Sequence, residues 1–414
     1  MIQTDICIIG AGAAGLMAAS AAKAKKVILV ESNTTAGRKL LLTGRGRCNL
    51  THTGSIDEII RAYKPFDRFV RHCIHEFPPQ KLRDFFSHRG LETVAEPTGC
   101  VFPKTQRSSD VKETLLDELK KSDIKIFYGK KINSVKKCDD LFIVESEKFT
   151  ISAKCLIIAT GGVSWPQTGS TGDGYKFAKN LGHNIIEPKP CLIPLITKEK
   201  FCSSLAGIGV KNVQITCKID SKKISSSGPM LFTHFGIGGP AVLDFSRLIA
   251  DQLGKAKINL NISVDFLPDL KSDEFDSRLS EHFSKNPKQS AVSVLSDFLP
   301  KVFARQICEQ NQLTKTIAEL ISKKTRKNLV ENLKNFPFTI LSAEAIEKAT
   351  VTRGGIDIGQ IDPKTMQSKL CPGLFFAGEV VNIDGPCGGY NIQFAFAAGL
   401  LAGKSAVEFL SKIA

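Results

Sequence analysis

Apolar residues near the start of the chain come in short unbroken runs punctuated by glycine. Asp5-Ile-Cys-Ile-Ile9 gives way to Gly10-Ala-Gly-Ala-Ala-Gly15. Ala18 to Lys25 then has helical character, and Val27-Ile-Leu-Val30 is a second apolar run ending in Glu31. Unbroken runs of this length predict strands buried on both faces. Strand, glycine turn, helix and strand in that order predict a βαβ unit with parallel strands.

Further on, the pattern predicts helices around Asp57–Phe77 and Pro79–Arg89, and a capped helix from Ser109 with acids in its first turn and lysines at its end. Short alternating stretches at Lys125–Tyr128, Lys131–Lys136 and Leu141–Glu145 read as a small antiparallel meander. Cys155-Leu-Ile-Ile-Ala159 is again a buried strand, stopped by Thr160-Gly161-Gly162. Pro188, Pro190 and Pro194 break the pattern and mark a boundary. Beyond them the chain is strand-rich to about Asp265, with Val210–Ile219 and Ile258–Phe266 the clearest cases. It then turns helical, ending in a lysine-laden helix around Thr314–Lys334. Strand and glycine signals return with Phe375-Phe-Ala-Gly378, and Ile392 to Leu410 is a closing helix.

This order predicts an α/β, Rossmann-like nucleotide-binding domain in two segments, residues 1–190 and 343–414. An insertion interrupts it, with a β-rich part at 191–268 and a helical part at 269–342.

Composition narrows the class. Hydrophobic residues make up 42% of the 414 and charged residues 23%, as in a folded soluble protein and unlike a disordered or fibrous chain. Lys+Arg 56 against Asp+Glu 41 leaves a net charge of +15, which favours polyanionic partners or anionic ligands. Twelve cysteines include no pair closer than Cys191 and Cys202, so no dithiol redox centre or zinc knuckle is encoded and a reducing cytoplasm fits best. The apolar run Ile6–Ala22 is rich in Gly and Ala and reads as strand, turn and helix, with no membrane span.

The glycine pattern carries specific chemistry. In Gly10-x-Gly12-x-x-Gly15 the first glycine makes the tight turn, the second admits a pyrophosphate, and the third lets helix pack on strand. Free N–H groups of the helix N-terminus then face the phosphates. Glu31, placed for the ribose hydroxyls, repels a 2′-phosphate and so selects FAD or NAD. The later strand Leu374–Gly378, followed by Glu379 and Asp384, favours FAD. Arg38, Lys39, Arg45 and Arg47 lie in a glycine-punctuated loop suited to pyrophosphate. Gly388-Gly389 before the closing helix aims backbone N–H groups at a flavin.

Several blocks carry a family resemblance: Gly37-Arg-Lys-Leu-Leu-Leu-Thr-Gly-Arg-Gly-Arg-Cys-Asn49, Ala159-Thr-Gly-Gly-Val-Ser-Trp-Pro166, Gly169-Ser-Thr-Gly-Asp-Gly174, Leu231-Phe-Thr-His-Phe-Gly236 and the stretch from Gly378 to Gln393. Over nearly its whole length the chain resembles the bacterial YhiN-type flavoproteins, also labelled the aminoacetone-oxidase or BaiN-like FAD-binding family. The resemblance implies an insertion made of a β-barrel and a helical subdomain. It also implies FAD contacts from Gly10, Gly12, Ala13, Ala14, Gly15, Glu31, Arg38, Lys39, Gly46, Arg47, Cys48, Gly161, Gly378, Asp384, Tyr390, Asn391 and Ile392. Members of the family are assigned to reduction of uridine in ribosomal RNA, reduction of bile-acid enones, and aminoacetone oxidation.

Cys48 and Cys387 sit in the two loops expected to face the flavin, and either thiol could protonate a substrate carbon after hydride delivery. His72 and His75 have no third partner for a metal, and His234 follows a strand of the insertion as a structural histidine. Gly236-Ile-Gly-Gly-Pro-Ala241 resembles a second dinucleotide turn but lacks a βαβ unit with its acid, so NAD(P)H is expected only as a transient reductant. Lys323, Lys324, Arg326, Lys327 and Lys334 form a basic run that could hold RNA phosphates. The resulting expectation is a cytoplasmic FAD oxidoreductase that reduces an activated C=C bond, with ribosomal RNA as the favoured substrate and its target base flipped out toward the flavin. A small-molecule oxidase or ene-reductase and a non-catalytic flavin-containing RNA-binding protein are the alternatives.

Overall fold

Strand Ile2–Ile9 sits at the middle of a seven-stranded sheet. In order, the sheet runs Lys125–Phe127, Val27–Val30, Ile2–Ile9, Thr150–Ile158, Leu141–Ser146 and Ile132–Cys138, with Leu374–Phe376 also pairing with Thr150–Ile158. The first four strands and Leu374–Phe376 are parallel, with Ile6 opposite both Val27 and Cys155. Residues Ile6–Ile9, Val27–Val30 and Leu374–Phe376 are buried on both faces, and this is the physical meaning of the unbroken apolar runs. The computed structural model describes residues 1–22, 25–122, 124–253 and 258–413. Two units emerge, one of residues 1–189 with 346–414 and one of residues 190–345.

In the first unit the opening helix spans Ala13–Ala21; of the expected Ala18–Lys25 helix, residues 23 and 24 lie outside the described residues. The closing helix, Tyr390–Ile413, is long and apolar enough to cross a membrane, yet most of its apolar window is buried in the protein. It lies directly on the opening helix. A Cβ at Gly399 would collide with the Ala14 carbonyl, and one at Gly403 with the Ala18 carbonyl. Two glycines one turn apart let the backbones approach more closely than any side chain would permit.

Three expectations change. The stretch at Lys125–Phe127 is no part of a meander: it pairs in parallel with Val27–Val30 at the sheet edge, because alternation sets a strand's faces but not its partner. The span 57–77 is two helices, Ile56–Ala62 and Asp67–Glu76, since Pro65 has no N–H to continue the ladder. The helix expected at Ser109 spans Ser108–Lys121, and its N-cap Arg107 makes no side-chain cap.

The second unit contains a closed barrel of Leu195–Thr197, Gly236–Gly238, Lys222–Thr233, Gly209–Ile219, Leu260–Asp265 and Phe336–Ala343. Its inward residues alternate along each strand, as Val213, Ile215, Met230, Phe232, Ile262, Val264, Phe338 and Ile340 do, so the barrel is filled with side chains and has no channel. Phe303, from helix Lys301–Gln310, packs 4.6 Å from Phe266. The turn-like Gly236–Gly238 is a barrel strand.

The basic run of this unit is not the free face its sequence suggests. Arg326 forks onto Asp276 at 2.8 and 3.1 Å. Lys334 is buried, 2.6 Å from Asp265, and donates to the carbonyls of Leu267 and Leu270. Both cations close the helix Lys323–Lys334 onto its neighbours, leaving Lys323, Lys324 and Lys327 exposed.

Candidate cofactor site

The site grows from the end of strand Ile2–Ile9. Gly10 has φ 102, and a Cβ there would stand 2.5 Å from the Ala159 carbonyl. At Gly15 a Cβ would overlap the Gly10 carbonyl, so strand, turn and helix are in backbone contact. Gly12 differs: nothing lies within 4 Å of its Cβ position. Gly12 is also the N-cap of the helix beginning at Ala13, with no side chain capping the first turn and no acid in it. Open space and uncapped N–H groups from Ala13 and Ala14 onward suit a pyrophosphate.

Glu31 is buried at 7% exposure. Its Oε2 accepts from the Ala11 N–H at 2.8 Å, and its Oε1 from the backbone and side-chain N–H groups of Asn33 at 2.8 and 2.7 Å. Arg38 donates to Asn33 Oδ1 at 2.7 Å, and the Gly37 N–H to the Ala11 carbonyl at 2.9 Å. The acid, the exposed guanidinium and the glycine turn therefore form one hydrogen-bonded unit. Asn33, two residues after the acid, is not among the residues the sequence singles out, although a short amide next to a strand-terminal acid is a readable signal.

The C-terminal segment meets this turn. Gly378 has φ 77, and a Cβ there would come 2.8 Å from the Ala14 Cβ. A second meeting joins the Cys48 loop to the glycine pair: a Cβ at Gly389 would stand 2.5 Å from the Thr51 carbonyl and 2.7 Å from Asn49 Oδ1. Between Gly44 and Cys48 the backbone is left-handed at Gly44, Arg45, Gly46 and Cys48, and the space beside Gly46 is open. Gly161, at φ 74, faces Ser170 Oγ. Asn391 bridges its own loop, accepting from the Gly385 N–H at 2.8 Å and donating to the Gly385 carbonyl at 2.9 Å. Ile392 is half-buried in the first turn of the closing helix.

Other expected contacts are committed inside the protein. Lys39 lies 2.6 Å from Glu379 and 2.7 Å from Ser164 Oγ. Glu379 also accepts from Ser164 Oγ and the Thr352 N–H, at 3.0 and 2.8 Å. Arg47 pairs with Glu96 at 2.6 Å and lies 3.9 Å over the Phe102 ring. Asp384 is fully buried and forked by Arg353 at 2.8 Å on both oxygens. These three side chains brace the loops through the partners named. Tyr390 stacks on His52 at 5.0 Å, and its carbonyl accepts from the Tyr63 hydroxyl. Of the hub of Glu379, Ser164 and Thr352 the sequence pattern singles out Glu379 alone, and it does not single out His52 beneath Tyr390, because their partners are far apart in the chain.

The two thiols differ. Cys48 is fully buried, and loss of water pushes its thiol up to about 12; Cys387 is half-buried in the Gly385–Gly389 loop. Among the described residues, Asn49 Oδ1 and Thr160 Oγ1 are buried without a hydrogen-bond partner. Buried acceptors are rarely left so, and both lie on segments that border the glycine turns. The open spaces at Gly12 and Gly46, the uncapped helix and the orphaned oxygens fit a flavin dinucleotide.

A family model described as the HI0933-like protein Rossmann domain matches residues 4–405. The chain is 30% identical over 409 residues to a 3-dehydro-bile acid delta(4,6)-reductase of Clostridium scindens, covering 97% of this chain and 99% of that one. It is 29% identical over 416 residues to the ribosomal RNA dihydrouridine synthase of Escherichia coli, covering 98% and 100%. The enzyme of that name from Haemophilus influenzae is 31% identical over 399 residues, covering 94% and 95%. Among solved structures, the open conformation of a flavocytochrome c3 fumarate reductase has a TM-score of 0.53 at 16% identity, covering 99% of this chain and 78% of that one. A 3-ketosteroid delta1-dehydrogenase of Sterolibacterium denitrificans has a TM-score of 0.53 at 11% identity, covering 99% and 100%. These two likenesses speak to the fold.

Proposed function

The chain belongs to the HI0933-like Rossmann family and is an FAD-dependent oxidoreductase; from that premise we propose that it saturates an activated carbon–carbon double bond, with uridine in RNA as substrate and NAD(P)H as reductant. The names of its relatives share that chemistry, one a delta(4,6)-reductase and two dihydrouridine synthases. Bound FAD supplies two-electron hydride chemistry.

The protein's own residues hold and shield the group. Gly12, Ala13 and Ala14 offer N–H groups to the pyrophosphate, Glu31 accepts from ribose hydroxyls, and Arg38 adds positive charge beside them. Gly46 and the Gly388-Gly389 pair leave room for the ring system, and the Lys39–Glu379 and Arg353–Asp384 pairs keep the surrounding loops in place. The Cys387 thiol, nearer to solvent than Cys48, is the residue assigned to hold the proton that a substrate carbon takes up.

The observation that carries the choice of RNA is the net charge of +15, which steers a polyanion more strongly than an enone with one carboxylate or none. The enone remains the second reading because the reductase from Clostridium scindens is 30% identical end to end. The test is anaerobic stopped-flow mixing of NAD(P)H-reduced enzyme with ribosomal RNA, with a 3-oxo-Δ4 steroid, or with buffer. Reoxidation fastest with RNA is the expected result. Reoxidation by RNA no faster than by buffer overturns the RNA reading.

A further inference from the structure

The hairpin of the second unit has one face with an unusual composition. Strands Gly209–Ile219 and Lys222–Thr233 place Gln214 opposite Ser227, Thr216 opposite Ser225 and Lys218 opposite Lys223. With a period of two, these six side chains share a face. Five are exposed and Thr216 is half-buried. The opposite face carries the buried Val213, Ile215 and Cys217, and there Ser226 Oγ donates to the Ala241 carbonyl at 2.9 Å. That side lies against helix Pro240–Leu248.

The six side chains are cations, hydroxyls and an amide; the nearest acids are Asp220 in the turn and Asp265, which stands opposite Gln214 on the next strand and is paired with Lys334. Among the described residues no acid pairs with Lys218, Lys222 or Lys223. Like charges placed directly opposite one another destabilise a sheet, so the Lys218–Lys223 pair works against the fold that carries it. Lysines also guard free strand edges, and Lys222–Thr233 meets Gly236–Gly238 only from Leu231 onward. Edge protection by lysine does not call for a directly opposed pair, which costs the sheet stability. The six residues extend over about 14 Å at roughly 3.4 Å per residue.

We propose that this hairpin face is the docking surface for the phosphate backbone of RNA. Lys218 and Lys223 neutralise phosphates, while Gln214, Thr216, Ser225 and Ser227 donate hydrogen bonds to phosphate and ribose oxygens. The partner's identity rests on the RNA reading above. The surface takes the place of the helix Lys323–Lys334, whose Arg326 and Lys334 are bound within the protein.

The test is fluorescence anisotropy of the holoenzyme with a fluorescein-labelled, uridine-rich single-stranded RNA across a KCl series. In the variant Lys218→Gln/Lys223→Gln, the slope of log affinity against log salt should shrink by roughly 1.4, about 0.7 for each phosphate no longer neutralised. Affinity at low salt should fall by about tenfold or more. The thermal midpoint should hold or rise, because the opposed charges are gone, and flavin reduction by NAD(P)H should be unchanged. Ser225→Asp adds an acid to the same face without removing a lysine and should weaken RNA binding too, while Lys323→Gln/Lys324→Gln should leave it unchanged.

A wild-type slope in the lysine variant overturns the proposal. Aggregation with intact RNA affinity also overturns it and makes the lysines edge guards. Binding to phosphatidylserine vesicles in preference to RNA makes the face a membrane surface and overturns it as well. RNA that binds with the expected signature yet leaves reduced flavin unoxidised keeps the docking surface and removes the RNA-reductase reading.

Discussion

The Lys39 ammonium lies 2.6 Å from a Glu379 carboxylate oxygen, joining positions 340 residues apart. Both side chains are largely shielded, at 24% and 18% exposure, so the attraction is only partly screened. Replacing Lys39 by Met leaves Glu379 with its Ser164 and Thr352 donors but no cation. The expected cost is about 1.5–3 kcal/mol, the range for a hydrogen bond to a charged group. Urea unfolding of Lys39→Met checks it, and Lys39→Arg should recover part of the loss.

The three glycines of the opening turn should respond differently to the same added methyl. Gly12→Ala meets open space and has φ −80, so the apoprotein should keep its thermal midpoint while FAD binds about tenfold more weakly or worse, at least about 1.4 kcal/mol. Gly15→Ala drives a Cβ into the Gly10 carbonyl and should fail to fold. Circular dichroism melting and FAD titration of the two variants separate these outcomes.

The two loop thiols divide along the same line of access. Cys387→Ala should leave flavin reduction intact and slow substrate-driven reoxidation by about a hundredfold, the lower end for loss of a proton donor. Cys48→Ala should alter stability more than rate, since Cys48 is fully buried. Thiolate is the reactive form, and burial holds Cys48 at about 12. Iodoacetamide at mildly alkaline pH should therefore modify the exposed Cys138 in the native protein and reach Cys48 only after unfolding, as peptide mass mapping would show.

Acid should weaken the helical part of the second unit through one pair. Hydrogen bonds from Arg326, with its charge, hold the Asp276 carboxyl below the usual carboxylate range. The folded state thus binds this proton at lower pH than the unfolded state does. The stability it contributes is complete above the ordinary carboxylate range and is lost as pH falls through the depressed value. Asp276→Asn should be less stable near neutrality and show a flatter acid limb in thermal midpoints collected from about pH 7 down to pH 3.

The parts legible in the sequence are those whose cause is local. Gly10, Gly12 and Gly15 can be assigned separate duties because each answers to its immediate turn and helix. The parallel strands Ile6–Ile9 and Val27–Val30 declare themselves by being apolar on both faces. The partners of Lys39 and Asp384, Glu379 and Arg353, are set by tertiary approach, and no spacing rule encodes them. Lys334 misleads for a related reason. A lysine at the end of a basic run reads as a solvated face, and only the fold reveals Asp265 and two carbonyls gathered round its ammonium. The strand carrying Lys218 is legible in the sequence, but its pairing with Lys222–Thr233 and the opposition of Lys218 and Lys223 depend on register.

The contact of Gly399 and Gly403 with the opening helix has a temporal side. Because that helix leans on a partner some 380 positions later in the chain, its buried face stays uncovered while most of the polypeptide is being made. Residues 190–345 form a compact unit of their own, and domains generally fold as units during synthesis. The dinucleotide cradle therefore cannot close before the closing helix has emerged, and a ribosome halted short of it would hold a half-built hand unable to grasp its coenzyme.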